Sequence, residues 1–252
     1  MDTYKQTHIG MRNSNQDYTD LFYNKSNQLL AVLCDGMGGH KAGDIASEMA
    51  VLLLGHHWKG TTFVSPEEAQ EWLEVHINMA NQRIYRVAKQ YSDFQGMGTT
   101  LVAAAFIDDG ILIGNIGDSR AYQLSRDSKQ MTVVTEDHSF ANELRLTGEI
   151  TEEEAKIHHQ RHTLTRSLGV FDKVSIDFFE LNKQDTQLVM LCSDGLSNGI
   201  EEKEMKNIVL MEKDLKGISD RLIETALKNG STDNITVCLI ELDTSLLERR
   251  GE

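Results

Sequence analysis

Two stretches of the chain, residues 32–40 (VLCDGMGGH) and 189–195 (VMLCSDG), drive a run of strand-forming apolar residues straight into an Asp-Gly pair. Five aspartates share this kind of setting: Asp17 in RNSNQDY, Asp35 in LCDGMGGH, Asp118 in NIGDSR, Asp194 in CSDG and Asp233 in GSTDNITV. Asp35, Asp118 and Asp194 follow strand-like runs, whereas Asp17 and Asp233 precede them. Antiparallel pairing therefore brings all five to one end of a sandwich. Carboxylates gathered in this way repel one another, so the cluster implies a bound cation. An all-oxygen donor set suits hard ions such as Mg²⁺ or Mn²⁺ better than zinc. Two such ions about 3.5–4 Å apart hold a shared water and lower its pKa enough to make a nucleophile for phosphorus. A single Asp-Gly is an ordinary turn dipeptide, and it is the set of five that points to metal. Gly36 and Gly195 are expected to leave room for the metal to approach the backbone.

Such carboxylates need rigid elements beneath them. Period-two and continuous apolar runs predict strands over 28–34, 99–107, 111–116, 120–124, 131–135, 174–181, 187–192 and 235–242. The stretches Asp108-Asp109-Gly110 and 125–128 look like hairpin turns between neighbours. Helical spacing runs from residue 42 to 58, and Ser65-Pro66-Glu67-Glu68 opens a long helix to about residue 91 as a capping box with proline at its first position. A second helix pair is predicted at 201–211 and 215–228, the latter stopped by Asn229-Gly230. Two sheets of hairpin-connected strands, each covered by a helix pair, is the order this favours. Residues 140–169 are polar, rich in His and Glu, and carry another capping box at Thr151, which reads as an inserted flap.

Composition bounds the function. A chain of 252 residues with a net charge of −14 has no surface built to neutralise nucleic-acid phosphates. Cys34, Cys192 and Cys238 lie in apolar runs without Cys-x-x-Cys spacing and read as reduced core residues. No signal segment or membrane-length apolar run is visible, so a cytoplasmic protein without a membrane anchor is expected. With one proline and no Ser-rich or Gly-rich linker, residues 1–242 are expected to form one catalytic domain with its flap at about 140–169, followed by a tail at 243–252.

The ordered set RxxxxD, DGMGGH, GTT, GDSR, EDHS, SDG and DN resembles the PPM family of metal-dependent protein Ser/Thr phosphatases, also called PP2C-like, over nearly the whole chain. The resemblance implies an α+β, four-layer αββα sandwich: two antiparallel sheets flanked on both faces by pairs of helices. It implies hydrolysis of phosphoserine and phosphothreonine in proteins by direct attack of a metal-bridging hydroxide, with two Mn²⁺ or Mg²⁺ ions and a weaker third. Asp35 looks like the bridging carboxylate, Gly36 a backbone-carbonyl ligand, Asp194 and Asp233 ligands of the first metal, Asp17 a water-mediated ligand of the second, and Asp118 with Asp194 the holders of the third. Arg12 matches the phosphate-binding arginine, and His40 the general acid that protonates the leaving alkoxide. Gln16 stands where some members carry an acidic residue, so only a water-mediated contact is expected from it. A bacterial-type monomer opposing a Ser/Thr protein kinase is the implied context.

Other signals carry less. Gly96 to Thr100 precedes a strand instead of opening a helix, so it reads as a close-packing turn and not a nucleotide loop. His158, His159 and His162 read as part of a polar flap helix and not a metal grip. Two rival readings are a stress-response phosphatase of the same superfamily, whose branch commonly lacks the arginine, and a silent phosphopeptide- or metal-binding module.

Overall fold

The computed structural model describes residues 1–39, 42–63, 65–108 and 110–242. His40, Asp109 in the expected hairpin turn and the expected tail at 243–252 lie outside the described residues.

The longest apolar runs are strands buried on both faces. In β3 (Leu29–Met37), Leu30, Val32 and Cys34 point into one core, and Leu29, Ala31 and Leu33 into another. The same alternation divides β10 (Thr186–Cys192), with Met190 on one side and Val189 and Leu191 on the other. A strand with side chains alternating between two cores cannot show a polar face, which is why these segments read as unbroken hydrophobic runs.

One sheet runs in the order β1 (Asp2–His8), β11 (Ile235–Glu241), β10, β7 (Arg120–Ser125), β8 (Met131–Val133). The other runs β2 (Asp17–Tyr23), β3, β5 (Leu101–Ile107), β6 (Gly110–Ile116), β9 (Asp177–Asn182), with the short β4 (Gly98–Thr99) paired to the end of β3. Every pairing in both sheets is antiparallel. Leu33, Phe106, Val189, Leu191 and Ile240 fill the space between the sheets.

Two helices cover the outer face of the second sheet: α1 (Ala42–Trp58) and α2 (Pro66–Gln90) lay Leu54, Trp58, Leu73 and Ile77 over Leu30, Val32 and Leu101. The Ser65 hydroxyl accepts from the Glu68 amide and Pro66 occupies the first turn, as the sequence predicted. On the opposite face, α6 (Glu202–Met211) and α7 (Leu215–Lys228) pack Met205, Ile218 and Leu222 over Met190 and Leu239. Burying one such side chain contributes about 1.5–3 kcal/mol, so three stacked cores fix four layers, as expected. All three cysteines are free and buried.

The differences from expectation sit at the edges. β1 and β2 fall outside the predicted strand ranges, and β8 and β9 are shorter than the predicted 131–135 and 174–181. The flap holds α3 (Phe140–Leu146) and α4 (Glu152–Ile157), and Thr151 does close a capping box with Glu154. That helix ends before the histidines: His158 is its C-cap, and His159 and His162 follow in non-helical chain. None of the described helices is long and apolar enough to cross a membrane.

Candidate metal and phosphate site

Strand ends deliver the carboxylates. Asp17 opens β2 and Asp35 lies near the end of β3, where the two residues are direct register partners. Asp118 sits in the β6–β7 connection, Asp194 opens the short turn α5 (Asp194–Ser197) after β10, and Asp233 stands just before β11. Asp35, Asp118, Asp194, Asp233 and Arg12 border one cleft of about 1090 Å³, whereas Asp17 does not line it and stands behind it as the register partner of Asp35.

The electrostatics follow from that convergence. Burial, followed by the charges of Asp17, Asp194, Asp118 and Asp233, pushes Asp35 well above the carboxylate range. Asp118 is raised by burial and then by Asp194 and Asp137. Asp17 is pushed up to about 7, again chiefly by burial, despite hydrogen bonds that favour its charged form. Two carboxyl oxygens, Asp17 Oδ1 and Asp194 Oδ1, are buried without a hydrogen-bond partner. Orphaned acceptors of this kind are costly, and hard divalent cations satisfy them while reversing the raised pKa values. The oxygen-rich donor set therefore fits Mg²⁺ or Mn²⁺. Among the described residues the carboxyls border the cleft without three of them closing on a common point.

Asp17, Asp35 and the loop that carries Arg12 are held by residues of the SDG, GTT and DN stretches whose supporting roles the sequence alone did not reveal. The Ser193 hydroxyl donates to Asp17 Oδ2 at 2.7 Å while accepting from the Thr236 amide. Thr99 Oγ1 and the Thr100 amide both donate to the Asp35 carbonyl, and the Asp35 amide donates to Thr100 Oγ1, each at 2.9 Å. The GTT segment is thus a clamp on the Asp35 backbone as well as a close-packing turn. Asn234, next to Asp233, accepts from the Gln16 amide and donates to the carbonyls of Ile9 and Ser14, tying down the loop that carries Arg12.

Gly36 corrects one expectation. A Cβ there would lie 2.0 Å from the Gly43 carbonyl oxygen and 2.7 Å from that of Gln16. At Gly195 it would meet the Asn234 carbonyl oxygen at 2.0 Å. The room that glycine leaves is filled by neighbouring backbone, so both glycines serve the approach of α1, α5 and the N-terminal loop. Gln16 likewise acts through its backbone, its carbonyl accepting from the Gly36 amide and the Ser47 hydroxyl.

Arg12 donates from Nη2 to Asp233 Oδ2 at 2.7 Å, with the arginine side chain 57% exposed at the cleft mouth. The flap contributes Arg161 and His162 to the cleft wall, and His162 Nδ1 stands 3.7 Å from Asp194 Oδ2.

Comparison with known proteins agrees with this geometry. The family model described as protein phosphatase 2C matches residues 6–236. The serine/threonine phosphatase stp of Listeria welshimeri is 44% identical over 232 residues, 92% of this chain and 91% of that protein. The crystal structure of serine/threonine phosphatase Stp1 from Staphylococcus aureus superposes with a TM-score of 0.91 at 38% identity, covering 96% of this chain and 95% of that one. The catalytic domain of serine/threonine protein phosphatase PstP in complex with two manganese ions superposes with a TM-score of 0.81 at 30% identity, covering 95% and 97%. A cleft lined by half-buried carboxylates at the end of two stacked antiparallel sheets, in a chain matched along almost its whole length, makes this protein a member of the protein phosphatase 2C family.

Proposed function

We propose that the cleft is the catalytic site of a metal-dependent protein phosphatase that hydrolyses phosphoserine and phosphothreonine. The observation that carries this reading is the pairing of buried Asp17 with half-buried Asp35 beside Asp194 and Asp118, with two carboxyl oxygens left without a proton donor. In this reading Asp35, the Gly36 carbonyl, Asp194 and Asp233 would hold two divalent ions, Asp17 would act through water, and Asp118 with Asp194 would hold a weaker third. When bound, Mn²⁺ or Mg²⁺ supplies the positive charge that lets these carboxyls ionise together and acidifies water to a nucleophile near neutral pH.

The protein's own groups do the rest. Arg12, at the mouth, exchanges Asp233 for two phosphoryl oxygens, a task its planar fork suits. Its exposure lets it reach out to a phosphorylated side chain arriving from solvent. His40 protonates the departing Ser or Thr alkoxide. Asn234 and Ser193 keep Arg12 and Asp17 from relaxing away from their positions. The phosphate on such a substrate implies a Ser/Thr protein kinase acting before this enzyme.

Release of phosphate from a phosphothreonine peptide tests the reading. Stripping with EDTA should abolish turnover, and Mn²⁺ or Mg²⁺ should restore it. Full turnover after chelation and dialysis would overturn it.

A further inference from the structure

Each residue of the segment Glu136-Asp137-His138-Ser139 has a definite partner. Asp137 binds Arg120 through both carboxylate oxygens, at 2.8 and 2.6 Å. Glu136 pairs with Arg145, and Ser139 caps α3. His138 holds the turn that precedes Asp118. Its backbone amide donates to the Gly117 carbonyl at 2.9 Å, and its ring Nδ1 accepts from the Gly117 amide at 3.0 Å. One residue thus grips both polar groups of Gly117, the neighbour of Asp118.

Gly117 gives this grip its weight. Its φ is +103°, a region that favours glycine, and a Cβ would strike the Thr100 side chain at 2.6 Å. The connection from β6 to β7 therefore turns at a residue with no side chain to fix it, and the fixing comes chiefly from His138, with Asn115 Nδ2 adding a longer bond to the Gly117 carbonyl at 3.4 Å. Because Nδ1 faces an N–H donor, the ring proton sits on Nε2, which donates to Asp177 Oδ2 at 3.0 Å. Asp177, at the start of β9, in turn accepts from Arg166 Nη1 at 2.6 Å. The ring is 4% exposed, so neither contact is replaced by bulk water. Arg166 lies in the segment whose neighbours Thr165 and Ser167 line the cleft, and the Thr165 amide donates to the His138 carbonyl.

We propose that His138 is a positioning residue: its Nδ1 and backbone amide hold the Gly117 turn so that Asp118 faces the cleft, and its Nε2 anchors that turn through Asp177 and Arg166 to the cleft-lining end of the flap. The part concerning Asp118 rests on the metal-ligand reading above.

The experiment uses the intact protein and three variants, H138N, H138Q and D118A. Asparagine keeps an acceptor near the place of Nδ1, whereas glutamine favours the place of Nε2. Amide hydrogen exchange at Gly117 in the metal-free protein reads the grip alone. It should speed up about tenfold in H138Q, as expected for loss of one buried hydrogen bond, and little in H138N. Titration with Mn²⁺ reads the consequence. H138Q and D118A should each lose the weakest binding step while the tighter steps stay unchanged, and H138N should restore it. If H138Q exchanges at Gly117 like the wild type, or weakens every Mn²⁺ step alike together with a fall in Tm, the positioning role is overturned. If D118A leaves the weakest step unchanged while H138Q still loosens Gly117, the metal-ligand reading of Asp118 fails and the grip on Gly117 stands.

Discussion

Asp17 and Asp35 face each other as register partners at the end of the β2–β3 ladder, two acids brought side by side by the pairing of the strands. Antiparallel partners project their side chains from the same face of a sheet, so the fold itself forces like charges together. Ser193 relieves part of the repulsion at Asp17, and Asp17 Oδ1 is left without a partner. Folding the chain thus sets up a demand for positive charge that bound cations meet.

That demand gives the metal-free protein an inverted acid response. Asp17 is pushed up to about 7, and Asp35 and Asp118 are raised as well. In the unfolded chain these groups ionise near pH 4. Between about pH 4 and 7 the folded state therefore binds more protons than the unfolded one, and stability falls as pH rises through that window. Thermal unfolding of the stripped protein should show Tm climbing several degrees from about pH 7 to about pH 5, at about 2–4 °C per kcal/mol for a chain of this size. The slope should shrink in D17N and disappear with saturating Mn²⁺. Equal slopes in all three samples would remove the charge-crowding account.

Arg12 separates function from stability. Its ion pair with Asp233 is exposed at the cleft mouth, and such pairs contribute little to folding. R12A should leave Tm within a degree or two of wild type while lowering kcat/KM about 10²-fold, and R12K should recover only part of the loss because an ammonium lacks the planar fork. A large fall in Tm with unchanged kinetics would place Arg12 among the structural residues.

Asn234 should behave in the opposite way. It is 5% exposed and satisfies backbone groups of Ile9, Ser14 and Gln16 at once. N234A leaves these groups without their partner, at a cost of about 2–4 kcal/mol, and frees the Arg12 loop. Denaturant unfolding should show that loss of stability, and KM for a phosphopeptide should rise. Wild-type values for both would show that the loop is held by something else.

Gly36 tests the packing of the site. With the Gly43 carbonyl oxygen 2.0 Å from any Cβ, G36A must push α1 away from β3. The variant should lose more than about 3 kcal/mol of stability with or without Mn²⁺. A stable G36A that has only lost metal affinity would mean that the glycine leaves room for the ion itself.

The sequence carried the core well because β3, β10 and β11 are buried on both faces and read as unbroken apolar runs, and because Ser65 and Thr151 cap their helices with local signals. It carried Asp35, Asp118, Asp194 and Asp233 for the same reason, since each adjoins such a strand, whereas Asp17 opens β2, whose sequence DYTDLFY is half-exposed and mixed. β1 was hidden: it is an edge strand with half-covered faces, and Asp2–His8 has no apolar alternation to betray it. Distance hid the supporting residues. Nothing local ties His138 to Asp177 or Asn234 to Ile9, 39 and 225 positions away, and a serine before Asp194 gives no sign that its hydroxyl serves Asp17. The space at Gly36 was misjudged because a glycine in sequence does not reveal whether a ligand or another stretch of backbone fills the gap.

The claim on which all of this depends is that aspartates from distant parts of the chain jointly hold hard divalent ions. Calorimetric titration of the stripped protein with Mn²⁺, beside D35N, tests it most directly. The account predicts two tight equivalents per wild-type chain and the loss of both in D35N, because it assigns Asp35 to both ions; wild-type binding that survives in D35N, or no tight binding in either, would contradict it.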